Sequence, residues 1–482
     1  MTAVSVPLLL PLLGTVLLLQ RLVPQKMRNG LLLAAGYFFC WILDPRLPGL
    51  ILLSTAADYL AALGIHRSRS RSRKRAFLGI SLAVNLGVLF LCKYLGFFLA
   101  GVAGALALAG LRLPLPVLRL LLPVALSFYT FKTLTYTIDV YRERLLPTRN
   151  FFDYALFVSF FPQLLAGPIE RAAHFLPQAR APRPVSRDHW IEGTCLFLRG
   201  LFKKAVVADN LALVVQGVFD SGGAASGAQV LLATYAFTFQ IYGDFSGYTD
   251  MARGVAKLLG FDTPQNFDRP YGASNPVEFW QRWHITLSTW LRDYLFLPIA
   301  YAVMRRADKG SWKGKAEDWG YVIGMAATML LAGLWHGAAW TFVAWGGYHG
   351  VLLAGHHLLA RRRKRKRPKS GPTLWLKRLA FFHLLALGWL VFRSQSLGRA
   401  WGHLHALLAD FSPSVRDFET AFLPLFYCAL WWLLERLGCS RDDPRSIPGW
   451  EHGWGPALVT CLVLLLVVFG STSGQEFIYA RF

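Results

Sequence analysis

Long stretches of this sequence contain no charged residue, and they decide the class of protein. The uncharged runs cover residues 1–20, 76–92, 94–111, 319–360 and 452–475. A soluble chain of 482 residues would divide into domains with polar surfaces, so the runs exclude a soluble protein. An apolar run of about 20 residues crosses a bilayer as a helix. We therefore expect an all-α, polytopic membrane protein with roughly 11 spanning helices plus re-entrant and interfacial ones.

The sequence also lacks internal repeats, domain linkers and a clear signal peptide. No basic segment precedes the first apolar run and no small-residue cleavage site follows it, which favours a retained first helix with the N-terminus outside. We expect one membrane-embedded domain over 1–482 that passes the membrane many times.

Acidic residues are scarce, with 27 Asp and Glu against 51 Lys and Arg, which gives a net charge of +24. The densest basic runs, RSRSRSRKR at 67–75 and RRRKRKRPK at 361–369, lie beside apolar segments. Clustered Lys and Arg stay on the cytoplasmic side next to anionic lipid, so both loops are predicted to face the cytoplasm. A nucleic-acid partner is not expected, because no nucleic-acid-binding motif accompanies the charge.

Motifs of several enzyme and metal-protein classes are missing. The six cysteines form no CxxC pair and no zinc-type cluster, and the sequence contains no HExxH. His349, His356 and His357 have no accompanying carboxylate, so we expect interfacial histidines and no metal site. Ser246 in GDFSG has the wrong spacing for the G-x-S-x-G turn of a serine hydrolase.

Two polar segments in the middle of the chain each leave two interpretations open. In FFPQLLAGPIER, 160–171, two prolines favour either a broken, re-entrant segment or a kinked spanning helix. In YGDFSGYTDMARG, 242–254, Asp244 or Asp250 forms either an ion pair with an arginine inside the protein or a surface pair at an interfacial turn.

A helix is predicted from Asn275, which caps it, through Pro276 at its first position, to about Leu297. Its end is expected at Pro298. One face carries the apolar and aromatic side chains, whereas Arg292 points elsewhere. The residues of that face are Trp280, Trp283, His284, Leu287 and Leu291. His284 is then either a hydrogen-bonded core residue or a catalytic one.

His336 lies midway along the 42-residue uncharged run 319–360, which is long enough for two crossings. An ionisable residue inside a membrane is a functional candidate by default, and a hydrogen bond between helices is the alternative. Gly333 and Gly337 flank His336 in the sequence, so we expect room for an acyl chain beside the imidazole.

Four segments together resemble the membrane-bound O-acyltransferase family, in particular its bacterial branch with the alginate O-acetyltransferase membrane subunit and the teichoic-acid D-alanyltransferase. They are FFPQLLAGPIER, YGDFSGYTDMARG, RPYGASNPVEFWQRWHITLSTWLRDYLFLPI and GLWHGAAWTFVAWGGYHG. The resemblance is strongest over about 120–395 and extends to EFIYARF at the C-terminus, where relatives have a more aromatic ending. The implied fold is a ring of helices around a central tunnel.

The resemblance implies acyl transfer from a thioester to a hydroxyl, with His336 at the family's catalytic histidine and His284 at its second polar position. A neutral imidazole can take the hydroxyl proton as attack begins, and His284 or backbone N–H groups would stabilise the oxyanion. Trp335, Trp283, Asp244 and Arg292 are the expected substrate-binding residues.

No bound cofactor is expected. The implied co-substrate is acetyl-CoA or an acyl carrier on the cytoplasmic side of a bacterial inner membrane, with a periplasmic polysaccharide-modifying partner. The expected acceptor is a polysaccharide such as alginate; peptidoglycan O-acetylation and teichoic-acid D-alanylation are the alternatives. A transporter would instead show inverted repeats and paired intramembrane acids, and a non-catalytic export scaffold would tolerate replacement of His336.

Overall fold

The computed structural model describes residues 5–111, 125–165, 167–221, 223, 225–307, 315–362, 371–436, 455–471 and 477–478. Within these ranges the regular structure is entirely helical, as the sequence predicts. The chain divides into two compact units, Met1–Phe197 with Tyr248–Pro264 and Tyr479–Arg481, and Leu198–Gly247 with Gln265–Ile478 and Phe482. The single-domain interpretation stays a prediction.

The described residues of the first unit form eight complete helices and most of a ninth. They are α1 Ser5–Leu22, α2 Gln25–Leu43, α3 Leu47–Arg67, α4 Arg71–Leu89, α5 Leu95–Leu108, α6 Leu126–Tyr141, α7 Phe151–Ser159, α8 Ala172–Arg180 and α9 Arg187–Phe202. A π-helical turn, Phe90–Tyr94, joins α4 to α5. Helices α3, α4 and α6 pack on one another.

The FFPQLLAGPIER segment is broken, so the kinked-span interpretation is wrong. Helix α7 ends at Ser159, and a short 3-10 turn, Phe161–Gln163, precedes an extended stretch that leads into α8. Buried polar side chains hold this irregular backbone: Lys132 Nζ donates to Gln163 Oε1 at 3.2 Å, and Gln163 Nε2 donates to Glu170 Oε2 at 3.3 Å. The two prolines prevent a regular helix, and these side-chain hydrogen bonds tie the irregular segment to Lys132 of α6.

The second unit contains the remaining helices. They are α10 Asp209–Phe219, α11 Gly227–Leu258, α12 Pro276–Trp280, α13 Ile285–Leu291, α14 Leu297–Ala307, α15 Ala316–His336, α16 Trp340–Arg362, α17 Pro372–Arg393, α18 Leu397–Ala409, α19 Val415–Arg436 and α20 Gly455–Phe469. Two π-helical turns lie between them, Lys203–Ala208 and Arg292–Phe296. The unit boundary falls within α9 and within α11.

The predicted helix from Asn275 to Leu297 begins as expected and then breaks. The Asn275 side chain accepts the Glu278 N–H at 3.0 Å, and Pro276 occupies the first position of α12. However, α12 ends at Trp280, and the chain turns through His284 before α13 begins. The expected stop at Pro298 is wrong, because α13, the π-helical turn Arg292–Phe296 and α14 follow one another without a gap, and Pro298 is the second residue of α14.

Three helical segments of the described residues are long and apolar enough to cross a membrane, namely Leu47–Arg67, Arg71–Leu108 and Pro372–Arg393. The expected count of roughly 11 is not confirmed. Other apolar runs form shorter helices such as Val459–Phe469, or helices with charged residues, such as α15 with Glu317 and Asp318 in its first turn. Of the two basic runs, 67–75 joins α3 to α4, whereas 363–369 lies outside the described residues.

Candidate active site

His336 is the last residue of α15, and it lies at a connection between two helices. The uncharged run folds as a hairpin in which α15 and α16 pack along each other. A helix of 21 residues is about 30 Å long at 1.5 Å per residue, so His336 occupies one end of it. The side chain is 4% exposed, so the hairpin keeps it from water.

The glycines beside His336 do not leave room for an acyl chain, and that expectation is wrong. A Cβ atom on Gly333 would collide with the carbonyl oxygen of Phe342, and one on Gly337 would collide with the Phe342 ring. Gly346 is equally crowded by the backbone of Met329. Small residues at these positions therefore let α15 and α16 approach closely.

Aromatic rings surround the His336 imidazole. The ring centroid lies 4.9 Å from that of Trp335, 5.0 Å from Trp345 and 5.5 Å from Phe392, and all three pairs meet edge-on. Trp335 is 5% exposed. Such an enclosure lowers the local dielectric constant, which strengthens electrostatic interactions, and it keeps bulk water from the imidazole.

His284 is fully buried and adopts a left-handed backbone conformation with φ of 42°. This conformation is uncommon for a residue with a side chain and is concentrated at functional sites. Asn266 stabilises it: the Asn266 carbonyl oxygen accepts the Ile285 N–H at 2.9 Å, and its side-chain Oδ1 accepts the Thr286 N–H at 3.2 Å. The backbone turn therefore aims the His284 ring into the interior.

The hydrogen bonds around Asn266 also assign the tautomer of His284. A backbone N–H can only donate, so the Asn266 atom that meets the Thr286 N–H must be the oxygen. The same Oδ1 lies 3.1 Å from His284 Nδ1, which makes Nδ1 the protonated nitrogen of a neutral ring. His284 Nε2 is then an acceptor, and it is buried with no hydrogen-bond partner among the described residues. A neutral His284 would accept a proton and could not donate to an oxyanion.

Both histidine rings lie near the indole of Trp335. The His284 ring centroid is 6.3 Å from that of Trp335, which in turn contacts His336. Phe245 closes the other side of His284, edge-on at 4.6 Å. The structure thus places His284 and His336 near the same Trp335 ring, and His284 is fully buried.

His349 belongs to the same cluster, which sequence reasoning missed. It is 0% exposed rather than interfacial. Its ring lies 4.8 Å from Trp345 and 5.3 Å from Trp280, and both of its ring nitrogens are buried without a hydrogen-bond partner in the described part of the chain. The spacing offered a signal, because His349 follows Trp345 by four residues and so shares its helix face. His357 behaves differently, since it lies 3.2 Å from Asp318.

Asp244 lies within α11 and is 2% exposed, so the interfacial-turn interpretation is wrong. Its ion-pair partner is a lysine instead of the expected arginine. Lys204 Nζ lies 2.7 Å from Asp244 Oδ1 and 2.7 Å from Asp209 Oδ1. Asp244 Oδ2 accepts the backbone N–H of Ile478 at 2.6 Å. Asp244 therefore ties a distant segment to the helix that carries Phe245.

Trp283 is buried, whereas Arg292 is exposed. Trp283 is 1% exposed and its ring packs 5.0 Å from Trp389. The Arg292 side chain is 59% exposed, and its Nε donates to Asp293 at 2.8 Å. Arg292 lines a cavity of about 300 Å³ that Trp280 also lines, together with Gln281, Ser288, Thr289 and Met329. Trp280, which lines this cavity, is the residue whose ring contacts His349.

Comparisons with known proteins agree on one family. Residues 141–380 match the model of the membrane-bound O-acyltransferase family, MBOAT. The probable alginate O-acetylase AlgI of Azotobacter vinelandii is 38% identical over 83% of this chain and 76% of its own length. AlgI of Pseudomonas putida is 33% identical over 95% of both chains.

The name of a third relative refers to a different polymer. The peptidoglycan O-acetyltransferase of Helicobacter pylori is 34% identical over 94% of this chain and 91% of its own length. The Pseudomonas putida and Helicobacter pylori matches span more than nine tenths of both proteins, and the family model covers the segments that contain His284, His336 and His349. The chain belongs to the membrane-bound O-acyltransferase family and is an O-acyltransferase of the membrane.

Proposed function

We propose that this protein moves an acetyl group from a cytoplasmic thioester to a hydroxyl of an extracytoplasmic polysaccharide or of a periplasmic acetyl-transfer partner, with His336 as the general base. The observation that carries the proposal is the position of His336, buried at the end of α15 inside three aromatic rings. The alginate acetylases among the relatives support acetyl as the group and a polysaccharide as the acceptor.

The chemistry needs a base because a hydroxyl is a poor nucleophile at neutral pH. His336 would accept the hydroxyl proton while the oxygen attacks the thioester carbon. Collapse of the tetrahedral intermediate breaks the C–S bond, and the imidazolium returns the proton to the departing sulfur. The rings around His336 would exclude water and so limit hydrolysis of the thioester.

His284 supports the same step in a different way from the one first expected. With Nδ1 bonded to Asn266, its Nε2 presents a lone pair, which suits a hydrogen bond to the acceptor hydroxyl or a proton relay. An oxyanion would then be stabilised by a protonated His284 or by backbone N–H groups. Trp335 and Trp283 would form walls of the site, and Asp244 would act from behind it through Phe245.

The proposal also specifies the acyl donor, the partner protein and the membrane in which the protein resides. Acetyl-CoA or an acyl carrier would supply the thioester from the cytoplasm, and the protein would reside in a bacterial inner membrane beside a periplasmic polysaccharide-modifying partner. Peptidoglycan is the second candidate acceptor, which the Helicobacter relative supports. Teichoic-acid D-alanylation is the third.

A transfer assay in reconstituted vesicles distinguishes between these donors and acceptors. Purified protein is supplied with labelled acetyl-CoA or with a D-alanyl carrier protein on one side, and with an alginate oligosaccharide or a peptidoglycan fragment on the other. We expect label from acetyl-CoA in the oligosaccharide, either directly or after addition of the periplasmic partner. Transfer from the D-alanyl carrier alone would contradict acetyl transfer, and equal transfer by His336→Gln would contradict the base.

A further inference from the structure

Helix α18 exposes a row of large apolar side chains, which we call the apolar stripe. Its members are Leu397, Trp401, Leu404 and Leu408, at spacings of four, three and four residues, so they share one face of the helix. Leu397 is 48% exposed, Trp401 71% and Leu408 89%. Single exposed leucines are ordinary, whereas a contiguous apolar surface marks a site that contacts a protein or a membrane.

A second face of α18 packs on the protein. Ala400 is 4% exposed, and the His403 ring meets the Phe219 ring edge-on at 4.9 Å. Directly after the helix, the carbonyl oxygen of Asp410 accepts the N–H of Gly227 at 2.7 Å. These contacts fix α18 to the end of α10 and to the start of α11.

The third face of α18 is exposed but carries only small or polar residues. These are Gly398, Gly402, His405 and Ala409. The one Arg or Lys of the helix, Arg399, donates from Nη1 to the carbonyl oxygen of Ser221 at 2.9 Å. The exposed surface of α18 is therefore divided lengthwise into an apolar face with a Trp and a face without large side chains. A helix that lies along the boundary between lipid and water is divided in this way.

The position of α18 along the chain places it at such a boundary. Helix α17 is a candidate span of 22 residues, about 33 Å long, which matches a hydrocarbon core of about 30 Å. It begins just after the basic run 361–369 and ends at Arg393, four residues before Leu397. With 13 residues, α18 is about 20 Å long and too short to cross. Trp375 at the start of α17 and Trp401 beyond its end are both exposed, as expected of Trp at the two membrane surfaces.

The chemistry of the apolar stripe fits lipid better than a protein partner. Its one hydrogen-bonding side-chain group is the indole N–H of Trp401, whereas protein interfaces contain about one hydrogen bond per 100–200 Å². Leu384 and Leu387 of α17 are exposed before the stripe, and Phe411 is exposed after it. The exposed apolar surface therefore continues from the candidate span onto α18, which is expected if both contact one bilayer.

We propose that α18 lies in the plane of the membrane, with its apolar stripe among the phospholipids of the extracytoplasmic leaflet. The basic run at the start of α17 favours the cytoplasmic side, so the end of α17 and the whole of α18 lie on the other side. The lipid contact anchors the last turn of α17, which carries Phe392, and the Phe392 ring lies 5.5 Å from that of His336. The proposal does not depend on the proposed acyl transfer.

The test compares two exposed positions of α18 that differ in their face. Leu408→Cys places a thiol on the apolar stripe, and Gly402→Cys is its matched control on the third face, where a Cβ atom meets nothing within 4 Å. Each full-length variant is placed in nanodiscs of phosphatidylethanolamine and phosphatidylglycerol and treated with a water-soluble maleimide. Peptide mass spectrometry reads each new thiol separately from the native cysteines. We expect the thiol of Gly402→Cys to react several-fold faster than that of Leu408→Cys, and the two to react alike after unfolding in urea.

Two further measurements complete the test. A lipid-soluble diazirine probe, applied to the unaltered protein in the same nanodiscs, should label Trp401 and leave Gly402 unlabelled, which makes the result independent of how the variants fold. In oriented vesicles, an impermeant maleimide should reach Gly402→Cys from the extracytoplasmic side alone. Equal thiol reactivity in nanodiscs, or reaction from the cytoplasmic side, would overturn the proposal. Protection of Leu408→Cys in native membranes but not in nanodiscs would also overturn it, because a protein partner would then cover the stripe.

Discussion

Each unit contains a buried polar cluster, and the two clusters differ in how far their hydrogen bonds are satisfied. In the first unit, Asp58 is 0% exposed and accepts from the Ser81 hydroxyl at 2.5 Å and from Asn85 Nδ2 at 2.9 and 3.0 Å. Asn85 Oδ1 in turn accepts from Thr133 at 3.0 Å. Helices α3, α4 and α6 are thus joined by a network whose acceptors have donors.

The histidine cluster of the second unit has ring nitrogens whose hydrogen-bonding capacity is not satisfied within the described residues. His284 Nε2 and both nitrogens of His349 are buried without hydrogen-bond partners among the described residues. An unsatisfied buried polar atom costs about 1–3 kcal/mol, and an apolar side chain in its place would avoid that cost. We infer that the satisfied network stabilises helix packing, whereas the histidines are retained for chemistry.

The largest effect that this comparison predicts, after His336 itself, is at His349. His349→Phe keeps the ring that packs against Trp280 and Trp345 but removes both nitrogens. We expect the rate of acetyl transfer to fall roughly 10-fold or more, with unchanged membrane insertion, because the lost nitrogens make no hydrogen bond among the described residues and are available to a substrate. The rate is measured in reconstituted vesicles beside a thermal unfolding curve. A variant with parental activity would place His349 with the packing residues.

Replacement of Asp58 is expected to lower stability and to leave the activity of each folded molecule unchanged. Asp58→Ala leaves the donors of Ser81 and Asn85 without their acceptor, which should destabilise the protein by about 1–3 kcal/mol. The measurement is the amount of folded protein in the membrane, together with its unfolding temperature. Activity per folded molecule should stay near the parental value, and a selective loss of rate would contradict the division between the two clusters.

A smaller effect is expected at Ile478. Ile478→Pro removes the N–H that Asp244 accepts, while Ile478→Val keeps it. Loss of one hydrogen bond to a charged acceptor is worth about 1.5–3 kcal/mol at most, part of which should appear as a several-fold lower turnover rate, because Asp244 adjoins the ring that closes His284. Turnover and KM are compared for the two variants. Equal kinetics would show that the Asp244 contact does not affect the site.

The sequence predicted features that depend on local chemistry. Asn275 and Pro276 define the start of α12, because capping involves only neighbouring residues. The prolines of FFPQLLAGPIER predicted either a break or a kink, and the structure shows the break. Features set by distant partners were not predictable. The turn at His284 depends on Asn266, which precedes it by 18 residues, and the periodicity of the segment alone favours a continuous helix.

In the candidate active site, too, the sequence did not predict contacts between residues that are distant along the chain. The apolar surroundings identified His336, and the resemblance to a family identified His284. His349 was assigned to the interface together with His356 and His357, because no carboxylate accompanies them in the sequence, although the fold buries His349 completely. Glycines beside His336 suggested space, but Phe342 from α16 fills it. In each case the deciding contact comes from another helix.

The central claim is that the imidazole of His336 transfers a proton during acyl transfer. The most direct measurement compares O-acylation by His336→Gln and by the parent, normalised to membrane-inserted protein. Gln keeps much of the volume and hydrogen bonding but cannot accept and return a proton. We predict a fall of roughly 10²–10⁴-fold at parental protein levels. Normal acylation by His336→Gln would contradict the base role and favour a non-catalytic scaffold.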